Sequence, residues 1–260
     1  MTDVVSYEVS DGVAHITIER PEVRNAMSME VFSQLGERAR QAGDDGQVGA
    51  VVVAGRGGTF SSGIDVSVFG GGGGGEGGTG VDSITRLQDC FTAYEELDKP
   101  TLAAIEGYCF GAGIQLAAAC HLRAVAPDAQ LAVMEARWAL VPDLGGSWRL
   151  PRLIGLGRAT ELTLSARRVD AEEARAMGLA ELSLGASDPL AEAHDLAAKL
   201  AAGPGSVRRA PRLLRENVAR DRDAALRAEA EAQLECMRGP DFAEAVAAGM
   251  EGRTPRFTGA

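Results

Sequence analysis

Three observations predict an α/β fold with a helical C-terminal portion. Short β-rich or wholly apolar runs alternate with helical periodicity in the first half of the chain. Helical periodicity alone continues through the second half. Between them, "GYCFGAGIQLAAACHL" (residues 107–122) sets three glycines ahead of an unbroken apolar run, the pattern of a tight turn feeding a buried helix.

Each element follows from local chemistry. "VVSYEVS" and "VAHITIER", separated by Asp-Gly, predict a hairpin. "SMEVFSQLGERARQAG" has helical spacing, with Ser28 as N-cap and Glu30 in the first turn. "VGAVVVAG" is continuously apolar, as expected of a strand buried on both faces. A glycine-dominated loop follows over 56–80, and residues 70 to 80 are expected to be mobile because glycine cannot pack a core. A helix is expected over roughly 82–97, and a buried strand in "KPTLAAIEG" once Pro100 is past. The run 114–121 predicts a buried helix, and "LRAVAP" and "QLAV" predict short strands. From "GGSWRLPRLIGLGRATELTLSA" to "EAEAQLECMRGPDFAEAVAAGMEG" the chain reads as mostly helical, with no fixed-period repeat.

The 260 residues, 45% hydrophobic and 24% charged, suffice for one large domain or two small ones. A formal net charge of -11 argues against a general nucleic-acid surface or an anionic membrane surface, but leaves room for a local arginine site. The N-terminus lacks a basic segment followed by an apolar one, and no run approaches the ~18 apolar residues of a membrane span. A cytoplasmic location is therefore expected. Cys90, Cys109, Cys120 and Cys236 form no CxxC pair, and His15, His121 and His194 are scattered, so reduced thiols and no metal site are expected. No GxSxG marks a serine nucleophile.

Glycine costs a helix interior about 1 kcal/mol relative to alanine. Gly107, Gly111 and Gly113 are therefore read as a strand–turn–helix junction where the backbone can approach a ligand. Unsatisfied N–H groups and the helix dipole favour an oxyanion there. "FSSGID", after the "VVVAG" strand, is a comparable loop, and each loop could give one N–H to a single carbonyl oxygen. Close packing alone is the alternative reading of these glycines.

Four stretches together resemble the crotonase superfamily, the enoyl-CoA hydratase/isomerase family, over nearly the whole chain. They are "FSSGID", "KPTLAAIEGYCFGAGIQLAAACHLRAVAP", the segment from "MEARWALVPDLGG" to "ARRVDAEEARAMGLA", and the terminal "GMEGRTPRF". The resemblance implies a crotonase-like spiral of ββα units over 1–200, followed by a C-terminal helical trimerisation region over 201–260. It implies an acyl-CoA thioester substrate and a homotrimer or dimer of trimers. No cofactor is implied beyond the coenzyme A carried by the substrate. The backbone N–H groups of Ile64 and Ala112 match the donors that stabilise a thioester enolate. Position 112 is alanine where many relatives have glycine, but the donor is backbone.

On the coenzyme A side, the resemblance implies Arg24 near the phosphates and the Ala26 backbone along the adenine, with Ile64 and Asp65 beside it. Arg253 and Phe257 match a closing tail that reaches the ligand of a neighbouring subunit. Arg24 and Arg253 could equally be solvated surface charge. Hydratases of the family use two glutamates; the first position is Gln115 here, an amide that cannot ionise, and the second is Glu135. Asp143 matches an acid of dienoyl-CoA isomerases. The pair Glu135 and Asp143 suits moving a double bond of an enoyl- or dienoyl-CoA. Water addition by Glu135, and acyl-CoA binding without turnover, remain alternatives. So do plainer roles: Asp143 as a helix cap, Glu135 as a partner of Arg137 or Arg149, and Gln115 as a partner for buried backbone.

Overall fold

Asp11 and Gly12 take positive φ (50° and 75°), which closes a tight turn between β1 (Val5–Ser10) and antiparallel β2 (Val13–Ile18). In the computed structural model, residues 3–70 and 80–260 are described. The mobility expected over 70 to 80 therefore falls almost wholly on residues outside the described set. Ser28 caps α1 (Met29–Asp44), its Oγ accepting from Val31 N at 3.4 Å. This helix buries Val31, Phe32, Leu35 and Ala39, and packs against α3 (Val81–Glu95); α2 (Ser67–Gly70) is a short turn before it.

All six residues of β3 (Ala50–Gly55) are buried, as the apolar run predicts. Val51 and Val53 face one core, with α1, Phe60 and Phe91. Ala50, Val52 and Ala54 face a second, with Leu102, Ala104, Ala193 and Ala197. Burying one such valine contributes roughly 1.5–3 kcal/mol, and both faces of β3 are covered. The sheet runs in the order β1-β2-β3-β4-β6-β9, parallel after the first pair, with β4 (Thr101–Ile105), β6 (Leu122–Val125) and β9 (Leu182–Ser183). Helix α8 (Pro189–Ala201) covers its second face.

A second sheet joins β5 (Tyr108–Phe110), β7 (Gln130–Ala132) and β8 (Val169–Asp170). Between β5 and β6 lies α4 (Ala112–Ala119), buried at every position. It starts two residues before the expected 114, so Gly113 lies inside it. The remaining helices are α5 (Gly146–Ile154), α6 (Leu156–Ser165) and α7 (Ala171–Met177), then α9 (Gly205–Asn217), α10 (Arg222–Arg238) and α11 (Pro240–Glu251). The class is α/β with a helical C-terminal portion. No described helix is long and apolar enough to cross a membrane.

Candidate active site

The two glycine loops meet. Ser61 N donates to Tyr108 O (2.8 Å) and Phe110 N to Ser61 O (3.0 Å), so the loop after β3 runs beside β5. Met27 holds the same loop from the other side: Met27 N donates to Gly63 O (2.8 Å) and Asp65 N to Met27 O (2.9 Å). That parallel bridge skips the N–H of Ile64. Gly111, the N-cap of α4, lies at φ 51° and ψ -115°, a conformation open to glycine and strained for other residues. The turn leaves Ala112 as the first residue of α4, with its N–H unpaired within the helix. Among the described residues, neither Ile64 N nor Ala112 N donates to another atom of the chain. A Cβ placed on Gly63 would lie 3.8 Å from Ala112 N, so both donors border one small space.

Glu135 reaches that space from the end of β7. Gly111 N donates to Ala132 O (3.0 Å), which ties β7 to the turn. A Cβ on Gly111 would lie 3.6 Å from Glu135 Oε1 and 3.9 Å from Gly63 Cα. The Glu135 side chain is buried, and burial first of all pushes its carboxyl above the usual range, with the charge of Asp143 adding to the rise. Its Oε1 accepts from Gln115 Nε2 at 2.6 Å, and its Oε2 is buried with no partner among the described residues. An unpaired buried carboxylate oxygen is costly, and it marks where a substrate proton or a water would bind.

The plainer roles sort themselves out by contact. Arg149 pairs with Glu95 (2.6 Å) and not with Glu135. Asp143 does not cap α5: the N-cap is Gly145 and receives no side-chain bond. The Asp143 carboxyl is raised by desolvation, and its backbone carbonyl accepts from Gln88 Nε2. Gln115 does serve buried backbone, since its Oε1 accepts from Leu144 N (2.8 Å) and Gly146 N (2.9 Å).

The segments carrying Arg24, Ala26, Ile64 and Asp65 run side by side, with Ser62 N donating to Arg24 O (2.9 Å) and Asp65 N to Met27 O (2.9 Å). Arg20, which sequence reasoning passed over within "ERPEVRNAM", organises them: Nη1 donates to Ala26 O (2.5 Å) and Asp65 Oδ2 (3.0 Å). Hydrogen bonds from Ser67, then Arg20, hold the Asp65 carboxyl below its usual range. Asn25, also in that motif, is fully buried at φ 55° and donates to Arg56 O and Thr59 O, locking the segment to the loop after β3. Asparagine is one of the few non-glycine residues suited to that conformation, a signal the sequence does carry. The Arg24 guanidinium lies 5.7 Å from the Tyr108 ring centre and pairs with no carboxylate among the described residues.

Arg253 and Phe257 sit apart, on the tail after α11. Arg253 is clamped by Glu244 (2.6 and 3.0 Å) and Glu251 (2.6 Å). The tail itself is held by buried Asp241, which accepts from Gly205 N, Thr258 N and Gly259 N.

A family profile described as Enoyl-CoA hydratase/isomerase matches residues 8–260. A probable enoyl-CoA hydratase of Rhodobacter capsulatus is 35% identical, over 98% of each chain. A peroxisomal Delta(3,5)-Delta(2,4)-dienoyl-CoA isomerase of Arabidopsis thaliana is 32% identical, over 72% of this chain and 71% of its own. The crystal structure of a putative enoyl-CoA hydratase from Streptomyces coelicolor superposes with a TM-score of 0.94 at 32% identity, covering 99% of this chain and 94% of that one. Plant fatty acid beta-oxidation multifunctional proteins match as well; the chain spans 28% of the length of the one from Arabidopsis thaliana named AIM1. The chain belongs to the enoyl-CoA hydratase/isomerase family.

Proposed function

We propose that this acyl-CoA enzyme shifts a double bond of an enoyl- or dienoyl-CoA through a thioester enolate. The observation that carries the reading is Gln115: the first glutamate position of a hydratase holds an amide here, committed to Leu144 N, Gly146 N and Glu135. The titrating groups at hand are Glu135 and Asp143; desolvation raises both carboxyls, and the charge of Asp143 raises Glu135 further. The thioester oxygen would sit between Ile64 N and Ala112 N, each donor contributing about 2.7–4 kcal/mol to the transition state. With a 3-enoyl-CoA, the ionised carboxylate takes the C2 proton and the enolate forms. The C3–C4 electron pair then accepts a proton at C4 from the other carboxyl, leaving a C2–C3 double bond. One proton leaves and one arrives, so the step balances.

Coenzyme A lies, on this proposal, along Arg24, Ala26, Ile64 and Asp65, with the free Arg24 guanidinium toward the phosphates. Phe257 closes over the ligand of a neighbouring subunit, with 201–260 assembling a trimer or a dimer of trimers. The salt bridges of Arg253 support a role in shaping the tail more than one in holding phosphate. A cytoplasmic location goes with the same reading.

Water addition is the second reading, favoured by the unpaired Glu135 Oε2, which could hold a water. One assay separates the two. A 3-enoyl-CoA should gain the 2-enoyl thioester absorbance, and a 2-enoyl-CoA should lose it only slowly. Rapid loss means hydratase. Tight acyl-CoA binding with neither change means a binding protein.

A further inference from the structure

The bond pattern around Gln115 leaves no freedom in its orientation. Leu144 N and Gly146 N are both donors, so the atom facing them is the carbonyl oxygen. The amide nitrogen must then face Glu135 Oε1, and the residue is only 1% exposed. There is no slack: a Cβ on Gly146 would lie 2.7 Å from Gln115 Oε1. One side chain thus grips both the turn that carries Asp143 and one of the two oxygens of Glu135. Arg149 Nη1 supports the same turn from behind, donating to Leu144 O at 3.0 Å.

We propose that Gln115 is the positioning residue of this site, one that sets Asp143 and Glu135 in register and restricts Glu135 to proton transfer through Oε2. Only a neutral group that donates at one end and accepts at the other can do this. A carboxylate in its place would still accept from Leu144 N and Gly146 N through one oxygen. Its other oxygen would face Glu135 Oε1 at about the 2.6 Å now spanned by the amide bond. Two ionised carboxylates at that distance repel strongly enough that the pair keeps a proton. A glutamate at position 115 of this chain would therefore leave Glu135 sharing a proton where it now accepts from an amide. The inference rests on Glu135 acting as a proton acceptor, and holds whether the substrate gains a water or moves a double bond.

Three variants test it: Gln115→Glu, Gln115→Ala and Glu135→Gln. In Gln115→Glu the acid-side limb of the kcat/KM profile, where the proton acceptor becomes protonated, should move up by at least about one pH unit, with KM within about twofold of the wild type. The retained proton also gives a readout without activity. A carboxyl raised in the folded state supports stability at low pH and loses that support as pH rises through its folded value. The thermal midpoint of Gln115→Glu should therefore match the wild type near pH 5 and fall progressively behind it toward pH 8. Gln115→Ala should lose at least about tenfold in kcat with KM within twofold, because both carboxyls are released while the backbone donors stay. A limb and a midpoint gap that ignore pH in Gln115→Glu, or wild-type kcat in Gln115→Ala, would overturn the proposal. Full activity in Glu135→Gln would instead remove Glu135 from the chemistry, and the pH dependence of the midpoint gap would still decide the case for Gln115.

Discussion

A first side-chain carbon on Gly113 would sit 2.9 Å from the Ser61 carbonyl oxygen, so the two loops that present Ile64 and Ala112 touch backbone to backbone. Alanine is the better helix former by about 1 kcal/mol, and α4 is a helix. Sterics win here, because Ser61 is fixed by bonds to Tyr108 O, Phe110 N and Asn25 O and cannot retreat. Gly113→Ala should lose about 1–3 kcal/mol of stability, the usual scale of overpacking. Turnover should fall by about tenfold or more as Ala112 N shifts against Ile64 N. Thermal unfolding together with kcat checks this; a variant at least as stable and as active as the wild type contradicts the close contact.

Arg149 and Glu95 form a largely buried pair, with side chains 7% and 14% exposed. Removing one partner from such a pair typically costs about 3–5 kcal/mol, because the other charge is left buried. Arg215 also approaches Glu95, at 3.9 Å, and offsets part of that. Arg149→Met should therefore cost about 3 kcal/mol in urea unfolding, the low end of that range. It should also slow turnover, since Arg149 holds the Leu144 carbonyl on the Asp143 turn. A loss below about 1 kcal/mol would mean that Arg215 replaces it.

Away from the site, His15 on β2 and His194 on α8 stack with ring centres 5.1 Å apart and share a 2.9 Å hydrogen bond. One nitrogen must accept, so both rings cannot be protonated without breaking the contact. Desolvation first, then the charge of His194, lowers the His15 value, against a smaller opposing pull from Glu8; Asp11 faces His194 at 3.4 Å. Half-buried His121 is lowered too, chiefly by desolvation. The unfolded chain therefore binds these protons first as pH falls. Stability is fully present above the unfolded value of about 6.5 and is lost as pH drops below it. Urea midpoints should fall between pH 7.5 and 5.5, and His15→Asn should flatten part of that slope. A flat wild-type profile contradicts it.

Local chemistry carried much of the fold. The Asp11–Gly12 turn, the Ser28 cap and the doubly buried β3 each depend on neighbours in sequence, and each forms as expected. The sheet of β5, β7 and β8 is different. Its strands are two or three residues long, too short for any period, and exist because distant segments meet. In the site, the resemblance to the crotonase superfamily pointed to Ile64, Ala112, Glu135 and Asp143. It could not show that Gln115 binds backbone 29 and 31 residues away, nor that Arg149 finds Glu95 across 54. The engagement of Arg253 by Glu244 and Glu251 was equally invisible, because a tail motif records the arginine and not its partners.

The measurement that bears most directly on the proposed chemistry is the rate of 3-enoyl-CoA isomerisation by Asp143→Asn. Asparagine keeps the size of the side chain and removes the titrating group. The side chain caps no helix, so the fold should be spared. The rate should fall by at least about 100-fold, the scale of lost acid–base catalysis, with acyl-CoA affinity nearly unchanged because the proposed oxyanion donors are backbone. A wild-type isomerisation rate in Asp143→Asn would contradict the account and leave Glu135 to carry the proton transfers without Asp143.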